Sequence, residues 1–452
     1  MSREALAKMQ SYPHVVLSWV GDDGYPVQTP AYFKVDGERG VVRIERTGVD
    51  VPTDRRVNLI ASHIRPQPGV GYDERRYVLL WGTVADEGGE TVLTPDRSWG
   101  WDEAETPFFE YVERSNSRAL RYMRSLSIET GREIRPRLSR LWTFLIATRF
   151  PFLTATLVPV LLGVAVAARA GEFTFWLAAL TVVGAAAIHL GLNTANDIFD
   201  TLSGADEANY NPTQYSGGSR VLQRGLLSLK QMAAICAASY AVGAAIGIFL
   251  VVYLESVELL AIGIAGVLLS FFYTAPPVRL VHRGLGELTT ALGFGPIMVL
   301  GAYVVQTGKL AWEPLVASIP VAILVAMILY VNEIPDRRSD AEAGKRTLPT
   351  RLSREAVTRG FLVAVLTAFA VVAVASVMGV IPRPAIIALA ALPLAIQVYR
   401  GINAYYTSPY ELMATMGKNV QLHLAVGVLL FAGYMFAVAV GELFDSPPSI
   451  LT

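Results

Sequence analysis

The sequence predicts two modules of opposite character. A small soluble β-barrel occupies residues 1–130. A linker at 131–141 leads to an all-α membrane bundle of nine transmembrane helices over residues 142–445. Three observations predict this. Charges recur every few positions up to about residue 140 and then thin out, although the whole chain carries 38 Lys+Arg against 38 Asp+Glu. From Leu141 onward, apolar runs recur, each roughly twenty residues long and about enough to cross a ~30 Å hydrocarbon core. Before that point, apolar and β-branched residues alternate around Gly/Asp turns, as in successive β-hairpins.

The first module opens with a short helix, ALAKMQ. VVLSWV, VQTPAYFKV and VVRIERT follow as strands around the turns GDDG and DGERG, and RYVLLWGTVAD and ETVLTP add two more. Residues 104–126 are charged yet amphipathic and read as a helix. Short hairpin-linked strands with flanking helices predict a small barrel. The N-terminal stretch has no signal-peptide h-region, so this module is expected on the cytoplasmic side. The only cysteine, Cys236, excludes an intrachain disulfide and a thiol-rich metal centre. The five histidines are scattered without metal-ligand spacing. No nucleic-acid partner is expected.

GYPVQTPAYFKVDGERGVVRIERT, DRRVNLIASHI and RRYVLLWGTVAD together resemble the pyridoxamine-phosphate-oxidase-like split barrel. The resemblance implies a flavin phosphate contact at Arg55 or Arg56, with Thr47 nearby, and FMN or a deazaflavin as cofactor. The sequence departs from that family in the longer loop GVDVPTD and in having Arg where Lys is usual. The alternative for this module is a barrel without cofactor, serving regulation or dimerisation.

The nine apolar segments of the second module run at about 142–168, 174–196, 231–253, 257–275, 285–306, 313–331, 358–379, 384–403 and 420–441. Arg220, Arg224, Arg279, Arg283, Arg337, Arg338, Lys345, Arg346, Arg351, Arg354, Arg400 and Lys418 fall in connections on one side. The opposite connections are short and carry mainly Arg169, Lys309 and Arg383. This asymmetry places the first side in the cytoplasm of a cell inner (plasma) membrane. An odd helix count then puts the C-terminus outside. Trp142, Trp176, Trp312 and Tyr273 lie near segment ends and read as interfacial anchors.

Two acidic stations carry the chemistry. In NDIFD, Asn196 and Asp200 lie four residues apart and share a helical face, with Asp197 about one step round. In NEIPDRRSD, Asn332, Asp336 and Asp340 repeat the same spacing. Both stations end apolar segments on the expected cytoplasmic side. Carboxylates at a membrane edge are unfavourable unless they are paired or bind something. Divalent cations relieve the repulsion between two such clusters, and hard oxygen ligands suit Mg²⁺. The candidate metal ligands are Asn196, Asp200, Asn332, Asp336 and Asp340, and the candidate catalytic groups are Asp197, Asp200, Asp336 and Asp340. A transporter's ion site is the other functional reading of these carboxylates, and it leaves the neighbouring basic groups unexplained. Those groups are Arg220 in YSGGSRVL, Arg279 in YTAPPVRL, and Lys345 and Arg346 in AGKRTL. Arg and Lys beside a metal suit a diphosphate.

With TRFPFLTATLVPVLLG, NDIFDTLSGAD and NEIPDRRSDAEAGKRTL, these segments resemble the UbiA superfamily of intramembrane prenyltransferases over residues 140–441. GLGEL, GFGPIMVLGAYVVQTG and AGKRTL look most like its menaquinone-pathway branch. The resemblance implies Mg²⁺-dependent transfer of a polyprenyl group from its diphosphate to an aromatic acceptor, 1,4-dihydroxy-2-naphthoate. It also admits other branches, with a carotenoid, hydroxybenzoate or another lipid as acceptor. A transporter with a redox-sensing barrel is the reading from outside the family. The expected partners are thus a polyprenyl diphosphate, an aromatic acceptor, the bilayer and, through the barrel, a second copy.

Overall fold

The computed structural model describes residues 3–22, 25–45, 49–67, 71–209 and 212–441. The chain divides into two compact units, Met1–Val112 and Glu113–Thr452.

The first unit holds α1 (Arg3–Met9) and seven strands: β1 (Val15–Val20), β2 (Pro26–Ala31), β3 (Phe33–Asp36), β4 (Val41–Ile44), β5 (Val57–Gln67), β6 (Gly71–Glu87) and β7 (Glu90–Asp102). Strand alternation decides the core. Val15, Leu17 and Trp19 of β1 turn inward with Leu59, Leu80 and Leu93, and Met9 of α1 joins them. All pairings are antiparallel, in the order β2-β1-β5-β6-β7-β4-β3. The expected closed barrel is therefore corrected to an open half-barrel: no ladder joins β2 to β3 among the described residues. Hairpin alternation fixes which neighbours pair. It does not fix whether the two outermost strands meet.

Helix α2 (Phe108–Thr130) carries the chain into the second unit. There follow α3 (Arg140–Ala147), α4 (Thr154–Arg169), α5 (Phe175–Ser203), α6 (Ala205–Ala208), α7 (Leu229–Leu254) and α8 (Val257–Phe272). Next, α9 (Gly286–Leu292) runs through a π turn into α10 (Met298–Thr307). The unit ends with α11 (Trp312–Glu342), α12 (Leu348–Arg351), α13 (Arg354–Val377), α14 (Leu392–Tyr405) and α15 (Pro409–Val440). Local signals set several boundaries. Ser228 and Gln231 form a capping box at the start of α7. Gly204, at φ 78°, ends α5 in the left-handed conformation that favours glycine.

Among the described residues, eight helices are long and apolar enough to cross a membrane, which corrects the expected nine. The segment expected at 257–275 is the odd one. Helix α8 has 16 residues, about 24 Å at 1.5 Å per residue, against a core of ~30 Å. Its helix stops ahead of Pro276 and Pro277, where the helical ladder cannot continue. With eight spans, the parity argument for an outside C-terminus lapses. Helix α11 is the centre of the bundle. Val321, Leu324, Val331 and Ile334 are buried in one cluster with residues of α4, α13, α14 and α15. Buried on all sides, α11 carries the second acidic station on its last turns.

Candidate active site

The two stations sit on the last turns of α5 and α11, and both reach one cavity of about 190 Å³. Asn196, Asp200, Asn332, Asp336, Asp340 and Lys345 all line it. Lys345, in the turn after α11, stands between the stations. Its Nζ is 2.9 Å from Asp200 Oδ2 and 3.7 Å from Asp340 Oδ1. Burial pulls the Lys345 ammonium down, but Asp200 and Asp340 outweigh it and hold the group above its ordinary pKa. Asn196 Nδ2 donates to Asp200 Oδ2 at 3.2 Å, as the four-residue spacing requires.

Asp336 is held differently. Its Oδ1 accepts from Asn209 Nδ2 and its Oδ2 from the Gly217 N–H, each at 2.9 Å. Asp197 is turned out of the cavity wall. It accepts from Arg149 Nη2 at 2.6 Å and from the Ser219 N–H at 3.1 Å. The loop between the stations is thus suspended on one aspartate from each. Gly218 lies at its centre with φ 79°, and a Cβ there would come within 3.0 Å of Asp206 Oδ1. Burial, then Asp200 and Asp197, holds the Asp206 carboxyl well above the usual carboxylate range.

The other predicted basic groups are placed elsewhere. Arg220, Arg279 and Arg346 are not among the residues lining the cavity. The Arg220 guanidinium bonds Glu113 and the Asp206 carbonyl. The Arg346 N–H donates to the His282 carbonyl at 3.1 Å. Among the polar lining residues, Arg149, Asn209 and Glu333 carry no role in the sequence reading. Arg149 stands in the quoted TRFPF segment, and a basic residue at a membrane edge was its only signal. Tyr273, read as an interfacial anchor, faces this cavity instead.

The cavity suits a charged ligand. Asp200 Oδ1, Asn332 Oδ1, Glu333 Oε2, Arg149 Nε and Thr347 Oγ1 are buried without hydrogen-bond partners, and all five residues line it. Buried polar atoms in folded proteins are almost always paired, so a cluster of orphans marks a place for a ligand. The unpaired oxygens of Asp200 and Asn332 are hard donors that fit Mg²⁺. Among the described residues, no three His, Cys, Asp or Glu side chains are grouped as a ready ligand set, and the Lys345 ammonium lies between Asp200 and Asp340.

A second cavity, of about 420 Å³, adjoins the first and is almost wholly apolar. It is lined by α5, α7, α8 and the α9–α10 helix, and His189, Leu192, Tyr273, Thr290 and Phe294 line both cavities. His189 Nδ1 is 2.7 Å from Thr156 Oγ1, and its ring meets Phe294 edge-on at 4.7 Å.

In the first unit, Arg55 pairs with Asp54 at 3.0 Å and Asp22 at 2.9 Å, and Arg56 pairs with Asp96. Both arginines are occupied by carboxylates, and Thr47 lies outside the described residues. The flavin reading gains no support from them.

Known proteins share the second unit. A family model described as the UbiA prenyltransferase family matches residues 156–419. A 2-carboxy-1,4-naphthoquinone phytyltransferase from Synechocystis sp. is 28% identical over 67% of this chain and 95% of its own. A 1,4-dihydroxy-2-naphthoate octaprenyltransferase from Mycobacterium tuberculosis is 30% identical over 64% of this chain and 93% of its own. The enzyme so named from Bacillus subtilis is 26% identical over 64% and 91%. The match takes in both acidic stations and more than half of the residues, and on that ground the chain belongs to the UbiA prenyltransferase family and is a membrane-embedded prenyltransferase.

Proposed function

We propose that the enzyme transfers a polyprenyl group from its diphosphate to 1,4-dihydroxy-2-naphthoate, with Mg²⁺, on the cytoplasmic side of the plasma membrane. One observation carries this reading: a polar cavity with orphaned buried atoms shares a wall with a larger apolar chamber. An amphiphile with a charged head and a long hydrocarbon tail fits that pair. The naphthoate acceptor is supported by the names of the relatives from Synechocystis, Bacillus and Mycobacterium. The cytoplasmic side is supported by the basic residues that follow the two stations, Arg220 and Arg224 after the first and Arg337, Arg338, Lys345 and Arg346 at the second.

Asp200 and Asn332, helped by Asn196, Asp336 and Asp340, would hold Mg²⁺. When bound, the ion supplies positive charge opposite the diphosphate. Lys345 and Arg149 add charge from the chain itself and orient the phosphate oxygens. The C–O bond to the diphosphate breaks, and its electron pair leaves with the diphosphate. The allylic cation lies at the junction of the cavities, where the rings of Tyr273 and Phe294 favour positive charge and the apolar wall excludes water. A ring carbon of the acceptor forms the new C–C bond. The carboxylate on that carbon leaves as CO₂, and its bonding electrons restore the ring.

The direct test is an assay of purified protein with labelled prenyl diphosphates and a panel of aromatic acceptors. Transfer to dihydroxynaphthoate is expected with Mg²⁺ and not with EDTA. Asp200→Asn and Asp336→Asn are expected to insert normally and to lose transfer. Transfer to hydroxybenzoate alone would reassign the acceptor, and full activity in either variant would reject the site.

A further inference from the structure

Helix α2 lies before the family match, which begins at residue 156. Its residues 113–120 nevertheless grip the loop that hangs between the two stations. Glu113 is 9% exposed and Arg220 is 8% exposed. Glu113 Oε2 accepts from Arg220 Nη2 at 3.1 Å and from Nε at 3.3 Å. Its Oε1 accepts from Arg224 Nη2 at 2.5 Å. Asn116 Nδ2 donates to the Gln223 carbonyl at 2.7 Å, and a Cβ on Gly225 would come within 3.1 Å of Leu120. Residues 113, 116 and 120 share one helical face, so a single stripe of α2 holds residues 220–225.

The other end of this loop lines the cavity through Ser216, Gly217 and Gly218. Gly217 donates to Asp336 and Ser219 to Asp197 through their backbone N–H groups. Between the two anchorages lies Arg220, a non-glycine residue at φ 61°. That backbone conformation is disfavoured for an L-residue and persists only where other contacts fix it. Here the fixed contacts are those of its guanidinium with Glu113 and the Asp206 carbonyl.

We propose that Glu113 is a positioning residue for the prenyl diphosphate. Its carboxylate pairs with both Arg220 and Arg224, and so holds the Gly217–Gly218 backbone at the cavity before substrate arrives. Without α2, the loop would hang on Asp336, Asp197 and the bonds of Gln223 to Thr201 and Asp206, all at or beside the acidic cluster. Tied to α2, it is preorganised. The inference rests on the active site proposed above.

The test uses the full chain in detergent and labelled geranylgeranyl diphosphate, with binding measured without acceptor and turnover measured with it. Glu113→Gln keeps the shape of the side chain and removes its charge. It is expected to weaken donor binding and raise the donor KM about tenfold or more, the usual scale of a lost charge-assisted hydrogen bond. The acceptor KM is expected to stay within about twofold, and Glu113→Asp should recover most of the donor binding. Arg224 is half-exposed, so Arg224→Gln is a milder variant, with a donor KM raised about threefold. Unchanged donor binding in folded Glu113→Gln, or in Arg224→Gln should the first not fold, overturns the proposal. So does a loss confined to the yield of folded protein with per-molecule kinetics intact. Asp336→Asn serves as the control. Normal transfer by that variant removes the site and the inference with it, whereas an inactive Asp336→Asn beside a silent Glu113→Gln overturns the tether alone.

Discussion

Replacing Lys345 with methionine separates the charge of this side chain from its bulk. The ammonium lies 2.9 Å from Asp200 Oδ2 and 3.7 Å from Asp340 Oδ1, with 10% of its side chain exposed. At an effective dielectric of ~20, these distances correspond to gross attractions of about 6 and about 4.5 kcal/mol. Desolvation of three charged groups offsets much of that sum. Removing one partner of such a buried pair typically costs about 3–5 kcal/mol, since the remaining charge is left uncompensated. The pKa of Lys345 is raised in the folded state, so its contribution is complete below the unfolded value near 10.5 and is fully present at pH 7. Lys345→Met is therefore expected to unfold markedly earlier than the wild type in EDTA. Adding about 10 mM Mg²⁺ should restore about 2–3 kcal/mol if that is about 100 times the dissociation constant. The wild type should respond less, because its Lys345 ammonium pairs with Asp200 Oδ2 and leaves only Oδ1 for the ion. The assay is thermal unfolding in detergent at one scan rate, with and without the ion. Equal responses to Mg²⁺ in the two proteins, or equal stability in EDTA, would refute the reasoning.

Three further outcomes are expected. Gly247 lines the apolar chamber, and a Cβ there meets nothing within 4 Å; Gly247→Leu should fill part of the chamber, so that competition among donors shifts toward shorter prenyl diphosphates. Gly218→Ala forces an L-residue to φ 79° beside the Asp206 carboxylate, at about 1–2 kcal/mol, and the donor KM should rise while the acceptor KM holds. Deleting residues 1–107 leaves Glu113 and Asn116 in place, so turnover per folded molecule should persist, whereas deleting residues 1–130 should raise the donor KM; both are read by steady-state kinetics.

The sequence showed the stations more clearly than their surroundings. Asn196 and Asp200, like Asn332, Asp336 and Asp340, are related by helical periodicity, which is local and readable. Their convergence on one cavity follows from two helices ending at one level. What Asp197 does was not readable, because its partners Arg149 and Ser219 are 48 and 22 residues away. The glycine-rich neighbourhood of Arg220 points to phosphate, but its carboxylate partner lies 107 residues upstream. The sequence of α8 reads as a span because its apolar run continues through Tyr273 to Ala275, whereas the helix stops at Phe272. Hydropathy measures the run, and the two prolines beyond it set the helix. In the first unit the hairpins were legible from their turns, but closure is a property of the whole sheet.

The open sheet has a consequence for association. Its outermost strand, β2, begins with Pro26 and also carries Pro30, in register with Val20 and Val16 of β1. A proline has no N–H to offer a newcomer, so this margin is a poor template for an added strand. The opposite margin, β3, is only four residues long and includes Lys34. Both rims are thus blunted against edge-to-edge recruitment. A second copy that met this unit would find better purchase on a face of the sheet than along its edges, and the open fold can remain unclosed without inviting polymerisation.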